Sequence, residues 1–399
     1  MKNRRHISFS VFMIMTCLLG TTGCWDSREL NDVVFIIGTG LDKVGKGAFS
    51  ASVQLADSTV QAGEAGGEAS GSTGYKVEMA SGKDLSDALT NLQSKLPRHL
   101  ITGHRQAIVI GEALARDGIG SYLDEFIRNP DNSLRTDLFI IKGDTAQDFL
   151  QNKYAFETFS ALAAGKEQKL VSTYETSLRN LLFDAMNNAT SGTLPVIDTG
   201  SDLNSMASNS RDQSKPSPAF AVNGTALFNR KLQLVGYLQH EQSLLYLWGV
   251  NRLQHITLSE PVDSSGNLIS LQMSHLHSKI HIMPHKGHMV AQMTLSGIGR
   301  IVENHTKWRP SELRDIAVVQ QRLDKTVSNK MQRLIIKTQE QYQADVFGFG
   351  EKIHQTYPSE WKHIKMNWQQ EFPKIEIEVK TQLTILHEGE LKTGDIFVG

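Results

Sequence analysis

The positions of the only two cysteines restrict how this chain of 399 residues can fold. Cys17 lies in the apolar stretch 7–19, directly behind a basic N-terminal segment. A short apolar stretch behind positive charges is typical of an export signal, and this one is too short for an ordinary membrane-spanning helix. Removal of the signal would leave Cys24 as the one thiol of the mature chain. A single thiol forms no internal disulfide, so we expect a core that is stabilised by packing alone.

Cys24 closes the signal, and the small residue Gly23 precedes it. The segment resembles a bacterial lipobox, in which the cysteine thiol takes a diacylglycerol and becomes the first mature residue. It departs from that pattern at Thr21, where lipoboxes usually have leucine. Stable anchoring needs about two acyl chains, and a diacylglyceryl group supplies both. We therefore predict a signal peptide over residues 1–23 and lipidation of Cys24. The alternative is an ordinary secretory signal with an incidental cysteine.

Charge and hydropathy argue against several classes of protein. The sequence has 41 Lys and Arg against 42 Asp and Glu, a formal net charge of −1. A nucleic-acid binder would show a basic stripe, so this balance argues against one. No stretch after the signal approaches the roughly 18 apolar residues of a membrane span. The mature chain is therefore predicted to be a tethered globular body with about two or three domains.

Hydrophobic patterns predict the order of elements. Residues 33–41 and 48–55 flank a glycine-containing turn, which is typical of a β-hairpin. Strand and helix patterns then alternate, and later strands dominate. We predict a multidomain α+β (mixed α/β) fold with mixed or antiparallel sheets. Its parts are an N-terminal α/β domain (24–200), a linker (201–218), a β-rich middle domain (219–302) and a C-terminal domain (303–399).

A long helix is predicted near the C-terminus. From Ser311 to Tyr342, apolar residues recur at steps of three and four. Charged residues interrupt the heptad pattern, which favours packing on the sheet of its own domain over a coiled coil. Gly348 and Gly350 are expected to terminate this helix. A final strand is predicted over residues 375–386.

Two patterns suggest ligand binding, and both are disfavoured. Residues 40–46 match the first part of a P-loop, but Gly47 stands where Mg²⁺ coordination needs Ser or Thr, and a strand follows. Histidines, which can bind Zn²⁺ or Ni²⁺, are clustered at His255, His275, His277, His281, His285, His288 and His305. The strand pattern places His275, His277 and His281 on a solvated face, without a cysteine or carboxylate among them. We therefore predict no metal site and no cofactor.

Several segments resemble a known family. The most specific are Cys-Trp-Asp at residues 24–26 and Asp-Val-Phe-Gly-Phe-Gly-Glu at 345–351, and similar segments lie at 103–112, 126–131 and 224–228. Together they resemble the Ger(x)C family, the lipoprotein C subunits of spore germinant receptors. The resemblance covers essentially the whole mature chain. It implies a three-domain mixed α/β fold and no established catalytic activity.

The resemblance also implies partners and a location. The protein would be a lipid-anchored subunit on the outer face of the spore inner membrane. It would contact two integral-membrane subunits, of the A and B types, in a receptor that responds to nutrient germinants; whether it binds the germinant itself stays open. Trp25 and Asp26 would be either a spacer or residues that orient the body at the membrane.

Two other functions are alternatives to the receptor subunit. The first is a lipoprotein solute-binding protein of a membrane transporter, which would usually have two similar lobes. The second is a cell-envelope enzyme, which would need a catalytic constellation. The two halves of this sequence differ, and no catalytic motif is found in it, so the prediction is a protein without enzyme activity.

Overall fold

The structure is a computed structural model with a mixed α/β architecture and two β-sheets, which confirms the predicted fold class. It describes residues 29–45, 48–56, 74–152, 154, 156–172, 176–186, 190–199, 220–261, 265–285, 288–306 and 313–386. The signal peptide, Cys24, Trp25, Asp26 and the predicted linker lie outside the described residues.

The first sheet has nine strands. They are β1 (Val33–Val44), β2 (Ala48–Ala56), β3 (Tyr75–Gly82), β4 (His99–Ile101), β5 (Ala107–Gly111), β6 (Asp137–Lys142), β7 (Thr193–Asp198), β8 (Ala221–Phe228) and β9 (Leu234–Leu238). The order across the sheet is β3-β2-β1-β5-β6-β7-β8-β9, and β4 also pairs with β1. Strands β1, β4, β5, β6 and β7 are parallel, and antiparallel pairs flank them on both sides. The predicted hairpin is confirmed as β1 and β2.

The second sheet has four strands in the order β10-β11-β12-β13. They are β10 (Ile256–Pro261), β11 (Leu268–His285), β12 (His288–Asn304) and β13 (Glu376–Leu386). The first three are antiparallel, and β13 runs parallel to β12. The predicted final strand is therefore confirmed.

Helices cover these sheets. They are α1 (Leu85–Gln93), α2 (Glu112–Asp117), α3 (Asp124–Arg128), α4 (Ala146–Gln151), α5 (Ser160–Val171), α6 (Leu178–Met186), α7 (His240–Gly249), α8 (Leu313–Lys337), α9 (Phe349–Thr356), α10 (Pro358–Ile364) and α11 (Trp368–Glu371). Within the part of the chain that the structure describes, no helix combines the length and apolar character needed to cross a bilayer.

The first sheet is buried on both faces. All five residues of β5 are buried. Ile108 and Ile110 lie in one core with side chains of α1, α2 and α3, whereas Ala107 and Val109 lie in another with side chains of α4 and α5. A strand with two buried faces needs a continuous apolar run, which is the pattern that the sequence shows here.

The second sheet has one open face. Along β11, His277, Lys279 and His281 are exposed, whereas Ile282 is buried. The prediction of a solvated histidine face is confirmed. His275 is also exposed, and it has a positive φ of 50° at an irregularity in the register between β11 and β12.

The long helix α8 covers the buried face of the second sheet. Its apolar stripe joins the core formed by that sheet, as predicted, through Ile316, Val319, Leu323, Val327, Met331, Leu334 and Ile335. Gln332 reinforces this packing, because its amide donates to the carbonyl of Ile377 (2.8 Å) and accepts from the N–H of Val379 (3.1 Å).

The predicted end of this helix at Gly348 and Gly350 is wrong. The helix passes into one π-helical turn, Thr338–Tyr342, and Gln343 then adopts a left-handed conformation with φ 49°. Gly348, with φ 81°, precedes the first residue of α9 instead. A left-handed glycine is compatible with either end of a helix. Only the buried groups around it determine which helix it borders.

Strands β8 and β9 follow the predicted linker but belong to the first sheet. β8 pairs with β7, for example between Thr193 and Leu227. Leu227 and Leu238 in turn join the core of the second sheet. The domain boundaries at residues 200 and 219 stay predictions, and the strand pairing connects the segments on either side of them.

Candidate functional site

The segment that begins at Asp345 is built around that buried carboxylate. Its Oδ1 accepts hydrogen bonds from the backbone N–H groups of Gly348 (2.9 Å) and Phe349 (3.1 Å). Its Oδ2 accepts from the N–H of Gly350 (2.7 Å) and from the indole N–H of Trp368 (3.2 Å). Asp345 therefore satisfies the first N–H groups of α9 and ties them to α11.

Two opposing effects act on the Asp345 carboxyl, which is 2% exposed. Burial penalises the charged form, the four hydrogen bonds favour it, and the net result raises the pKa to about 6. All four partners are donors, so the ionised form can satisfy every one of them. Because both oxygens are already occupied, the group positions backbone and indole rather than acting as a general base.

The same segment contacts the first sheet. The backbone carbonyl of Asp345 accepts a hydrogen bond from the N–H of Ser191 (2.9 Å), just before β7. The Phe347 ring packs edge-on against Tyr246 of α7, with ring centroids 5.7 Å apart. The Tyr246 and Thr193 hydroxyls are hydrogen-bonded at 2.9 Å, which connects α7 to β7. We call this set of contacts the junction.

Tyr342 extends the junction to β9. Its hydroxyl donates to the carbonyl of Tyr237 at 3.2 Å. A Cβ atom on Gly236 would lie 2.2 Å from the Tyr342 ring. Only glycine allows this close approach, so Gly236 of β9 makes room for Tyr342 at the end of the long helix.

A cavity of about 40 Å³ lies in the junction. Its walls include Thr193, Thr225, Ser243 and Tyr246, and the hydroxyls of Thr225 and Ser243 are 2.5 Å apart. Ligand pockets usually measure roughly 300 to 1,000 Å³, whereas a cavity of this size holds only a few water molecules. The junction therefore fits a structural contact better than a nutrient site.

An open depression of about 440 Å³ lies between the starts of α1 and α3. Its walls are mostly polar or charged and include Asp84, Asp124, Glu125 and Arg128. Small-molecule pockets are mostly apolar with a few convergent polar groups. Volume alone thus matches a ligand, but the lining does not.

Asp42 is a second buried carboxylate, at the far end of β1. It accepts hydrogen bonds from the N–H groups of Ala146 (2.9 Å) and Gln147 (3.0 Å), which begin α4. Burial raises the pKa of the Asp42 carboxyl. A Cβ atom on Gly111 would lie 2.3 Å from its Oδ1, so β5 contributes a glycine to make room.

Arg105 is a buried cation in the loop before β5. Its Nε donates to the Thr39 hydroxyl and its Nη1 to the Asn132 side chain, both at 2.8 Å. The guanidinium lies 4.7 Å from the centre of the Phe126 ring. Burial lowers its pKa to about 10, while the charge of Glu125 opposes that shift. The arginine thus holds together the loops before β5 and β6.

Sequence reasoning missed the roles of Asp42 and Arg105. A signal was present, because each is a charged residue next to an apolar strand run. Charged residues are seldom buried unless they are paired or hydrogen-bonded, so burial at such a position requires partners from elsewhere in the chain.

Only some of the predicted site residues lie in the part of the chain that the structure describes. Cys24 lies outside the described residues, so its lipidation stays a prediction. In the P-loop-like stretch, β1 continues to Val44, and Lys46 and Gly47 are not described. Among the described side chains, no three His, Cys, Asp or Glu residues are grouped closely enough to hold a metal ion.

Both halves of the chain match a family of known proteins. Residues 26–199 match the profile described as "Spore germination protein N-terminal domain". Residues 223–389 match the profile described as "Spore germination B3/ GerAC like, C-terminal". Together these two matches span most of the chain.

Curated relatives and a solved structure agree with this match. The "Putative spore germination protein YfkR" of Bacillus subtilis (strain 168) is 25% identical over 391 residues, which covers 97% of this chain and 98% of the relative. "Spore germination protein KC" of the same organism is 24% identical, with 96% of each chain covered. The structure described as "Crystal Structure of the GerBC protein" shares the fold, with a TM-score of 0.57 at 15% identity over 90% of this chain and 100% of that one.

Fold and sequence together define a spore germination protein of the GerAC-like class, built from an N-terminal and a C-terminal family region. The chain belongs to the Ger(x)C family. That family is not known as one of enzymes.

Proposed function

We propose that this protein is the lipid-anchored subunit of a spore nutrient germinant receptor and acts by protein–protein contact, without catalysis. The observation that carries the proposal is the match of both family profiles, over residues 26–199 and 223–389. The site geometry supports it, because Asp345, Asp42 and Arg105 use their polar atoms to hold backbone and loops in place.

The anchor in this proposal is a diacylglyceryl group on Cys24, at the outer face of the spore inner membrane. Two acyl chains bind a bilayer stably, because each buried CH₂ contributes about 0.8 kcal/mol. Tethering next to the two integral-membrane subunits raises the effective concentration of the body to about millimolar. Weak contacts then suffice for assembly.

The junction supports a role in transmitting or stabilising the assembled state. It joins β7, α7 and the end of the long helix through Tyr246, Asp345 and Tyr342. Because Tyr246 and Asp345 are buried and hydrogen-bonded, we expect the two sheets to move as one body rather than as two loosely linked lobes. A partner bound to one sheet would therefore influence the position of the other.

The test replaces Cys24 with alanine in spores and uses Cys17→Ala as the matched control. Cys17 lies inside the predicted signal, so its replacement changes a cysteine that the mature protein would lack. We expect Cys24→Ala to release the protein from spore membranes and to impair nutrient-triggered germination, while Cys17→Ala leaves both unchanged. Normal germination of Cys24→Ala spores with an intact receptor would refute the anchoring proposal. A one-to-one titration of a nutrient with the isolated protein would instead favour a solute-binding protein.

A further inference from the structure

One edge of the first sheet collects the starts of its parallel strands. The 3₁₀ turn Leu30–Asp32 leads into β1, and Val33 pairs in parallel with His99 at the start of β4. The loop before β5 and the loop before β6 meet at this edge, because a Cβ on Gly103 would lie 3.3 Å from the carbonyl oxygen of Asp131. We call residues 29–33, 98–106, 127–136 and helix α6 the strand-start edge.

Helix α6 runs along this edge. At its beginning, the N–H of Arg179 donates to the carbonyl of Leu134 (2.9 Å), in the loop before β6. Two residues later, Leu181 lies 3.1 Å from the position of a Cβ on Gly192, directly before β7. Leu178 and Leu181 are buried beneath the helix, so its opposite side faces outwards.

The outward side of α6 carries two large apolar side chains. Phe183 is 73% exposed and Met186 is 83% exposed, and Arg179 lies on the same ridge at the spacing of one turn. Elsewhere on the edge, Leu134 is also exposed, as is Ile127 at the end of α3. Large exposed apolar side chains are unremarkable one at a time, but a set on one edge marks an interaction surface.

The tether ends at the same edge. Glu29, the first described residue, is five positions after Cys24, and five residues span at most about 18 Å. Leu30, which follows, is 64% exposed. The opposite end of β1, at Val44, is about 36 Å away along the strand, because each strand residue rises about 3.3 Å. A lipid on Cys24 therefore holds the strand-start edge, and not the Val44 end, next to the bilayer.

We infer that the strand-start edge docks on the lipid surface, with Leu30, Leu134 and Phe183 inserted among the headgroups. The inference rests on the proposed lipidation of Cys24. Exposed charges on the edge have both signs, so apolar insertion rather than anionic-lipid attraction drives the contact. The exposed arginines are Arg128, Arg135 and Arg179, and the exposed carboxylates are Glu29, Asp32 and Asp131. The arginine next to the apolar ridge suits an interface, where its stem contacts the acyl region and its head stays in water.

The test measures which edge approaches the bilayer. The full-length lipidated protein is reconstituted in phosphatidylcholine vesicles, with a fluorophore on a single introduced cysteine. Because the Cys24 thiol would be blocked by its lipid, the introduced cysteine is the free thiol of the mature chain. The sites are Ile127→Cys on the strand-start edge and Val44→Cys, a comparably exposed residue, at the opposite end. We expect quenchers on the lipid headgroups to quench the Ile127 label several-fold more strongly than the Val44 label.

A second variant tests the inserted side chains. Leu134→Ser with Phe183→Ser should return the Ile127 label towards the quenching of the Val44 label, while vesicle flotation and thermal stability stay unchanged because both residues are exposed. Equal quenching at the two sites in floating wild-type protein would overturn the docking edge and leave the anchor intact. Strong quenching at Ile127 only when the integral-membrane subunits are present would assign the edge to a protein partner. Absence of lipid on Cys24 by mass spectrometry would overturn the proposed anchor and this inference together.

Discussion

The two sheets of this protein differ in how many of their faces are buried. In the first sheet, consecutive residues of β6 such as Phe139 and Ile140 lie in separate cores on opposite faces. In the second sheet, by contrast, His281 of β11 lies in solvent and the next residue, Ile282, lies in the core. The difference follows from the covering layers, because helices pack on both faces of the first sheet and on one face of the second.

The comparison predicts which positions of this protein tolerate substitution. In a sheet covered on both faces, a polar side chain on a central strand must find a hydrogen-bond partner inside the protein, as Thr39 and Asp42 of β1 do. A sheet with an open face can vary every second residue, and here that face carries the histidines of β11. Between the two sheets, the junction around Asp345 depends on hydrogen bonds and close approach more than on apolar area.

The largest effect is expected on the first sheet. Phe139→Ala and Ile140→Ala should lower the free energy of unfolding by about 3 to 5 and about 2 to 5 kcal/mol respectively, because each leaves a cavity in a different core. Chemical denaturation of the two variants measures both values. A small loss for either residue would mean that one face of the sheet is less tightly covered than the structure shows.

At the junction, Asp345→Ala should lower the free energy of unfolding by about 3 kcal/mol, because four buried donors lose their acceptor. Asp345→Asn keeps an acceptor oxygen for the N–H groups of Gly348 and Phe349 and should therefore lose less stability than the alanine variant. Asp131→Asn, at an exposed loop, is the control and should leave stability unchanged within error. Equal losses for the alanine and asparagine variants would contradict the hydrogen-bond account.

Asp345 should also make stability depend on pH. Its pKa in the folded protein is about 6, above the usual value near 4, so between these values the folded state holds a proton that the unfolded state has released. The contribution of this group to the free energy of unfolding therefore falls as pH rises from about 4 to about 6. The stability difference between wild type and Asp345→Asn should narrow over that window and level off above it. A difference that widens with pH would show that hydrogen bonding outweighs burial.

A smaller effect is expected where the long helix meets β9. Gly236→Ala should cost about 1 to 3 kcal/mol, because the added methyl group overlaps the Tyr342 ring. Gly120→Ala is the matched control, since the added Cβ would lie 3.8 Å from its nearest neighbour, the Leu232 side chain. In a double-mutant cycle, Tyr342→Ala should remove most of the Gly236→Ala penalty. Additive effects would show that the Gly236→Ala penalty does not arise from contact with Tyr342.

The smallest effect is expected on the open face of the second sheet. His281→Ala should change the free energy of unfolding by less than about 0.5 kcal/mol, as exposed substitutions usually do. Its neighbour Ile282→Ala should cost about 2 to 5 kcal/mol in the same assay, because Ile282 is buried. A large loss at His281 would show that something covers this face.

Much of the fold could be predicted from local patterns. The apolar run of β5, the hairpin of β1 and β2, and the stripe of α8 each follow from side-chain periodicity, which depends only on the geometry of a strand or helix. The end of α8 could not be predicted this way. A glycine near a helix end is compatible with the end of one helix or the start of the next, and the buried carboxylate of Asp345 selects the latter.

For the site residues too, local patterns predicted some features and tertiary contacts determined the others. The specific segment 345–351 was recognisable from the sequence, but its role as a cap for α9 and a tie to Trp368 was not. The burial of Asp42 and Arg105 does not follow from local patterns, because a charge beside a strand is usually solvated. Burial of these charges is possible only because α4 and the loop before β6 supply hydrogen-bond partners from distant positions in the chain.

The sequence by itself determined the alternation of strands and helices, the solvated histidine face, the length of chain between Cys24 and the body, and the family. These depend on local spacing or on similarity along the chain. The tertiary structure alone decided that β8 and β9 join the first sheet, that Tyr342 meets Gly236, and that helix α6 lies against the loop before β6. Each of these is a contact between residues far apart in sequence, and such contacts arise only when the chain packs its apolar faces together.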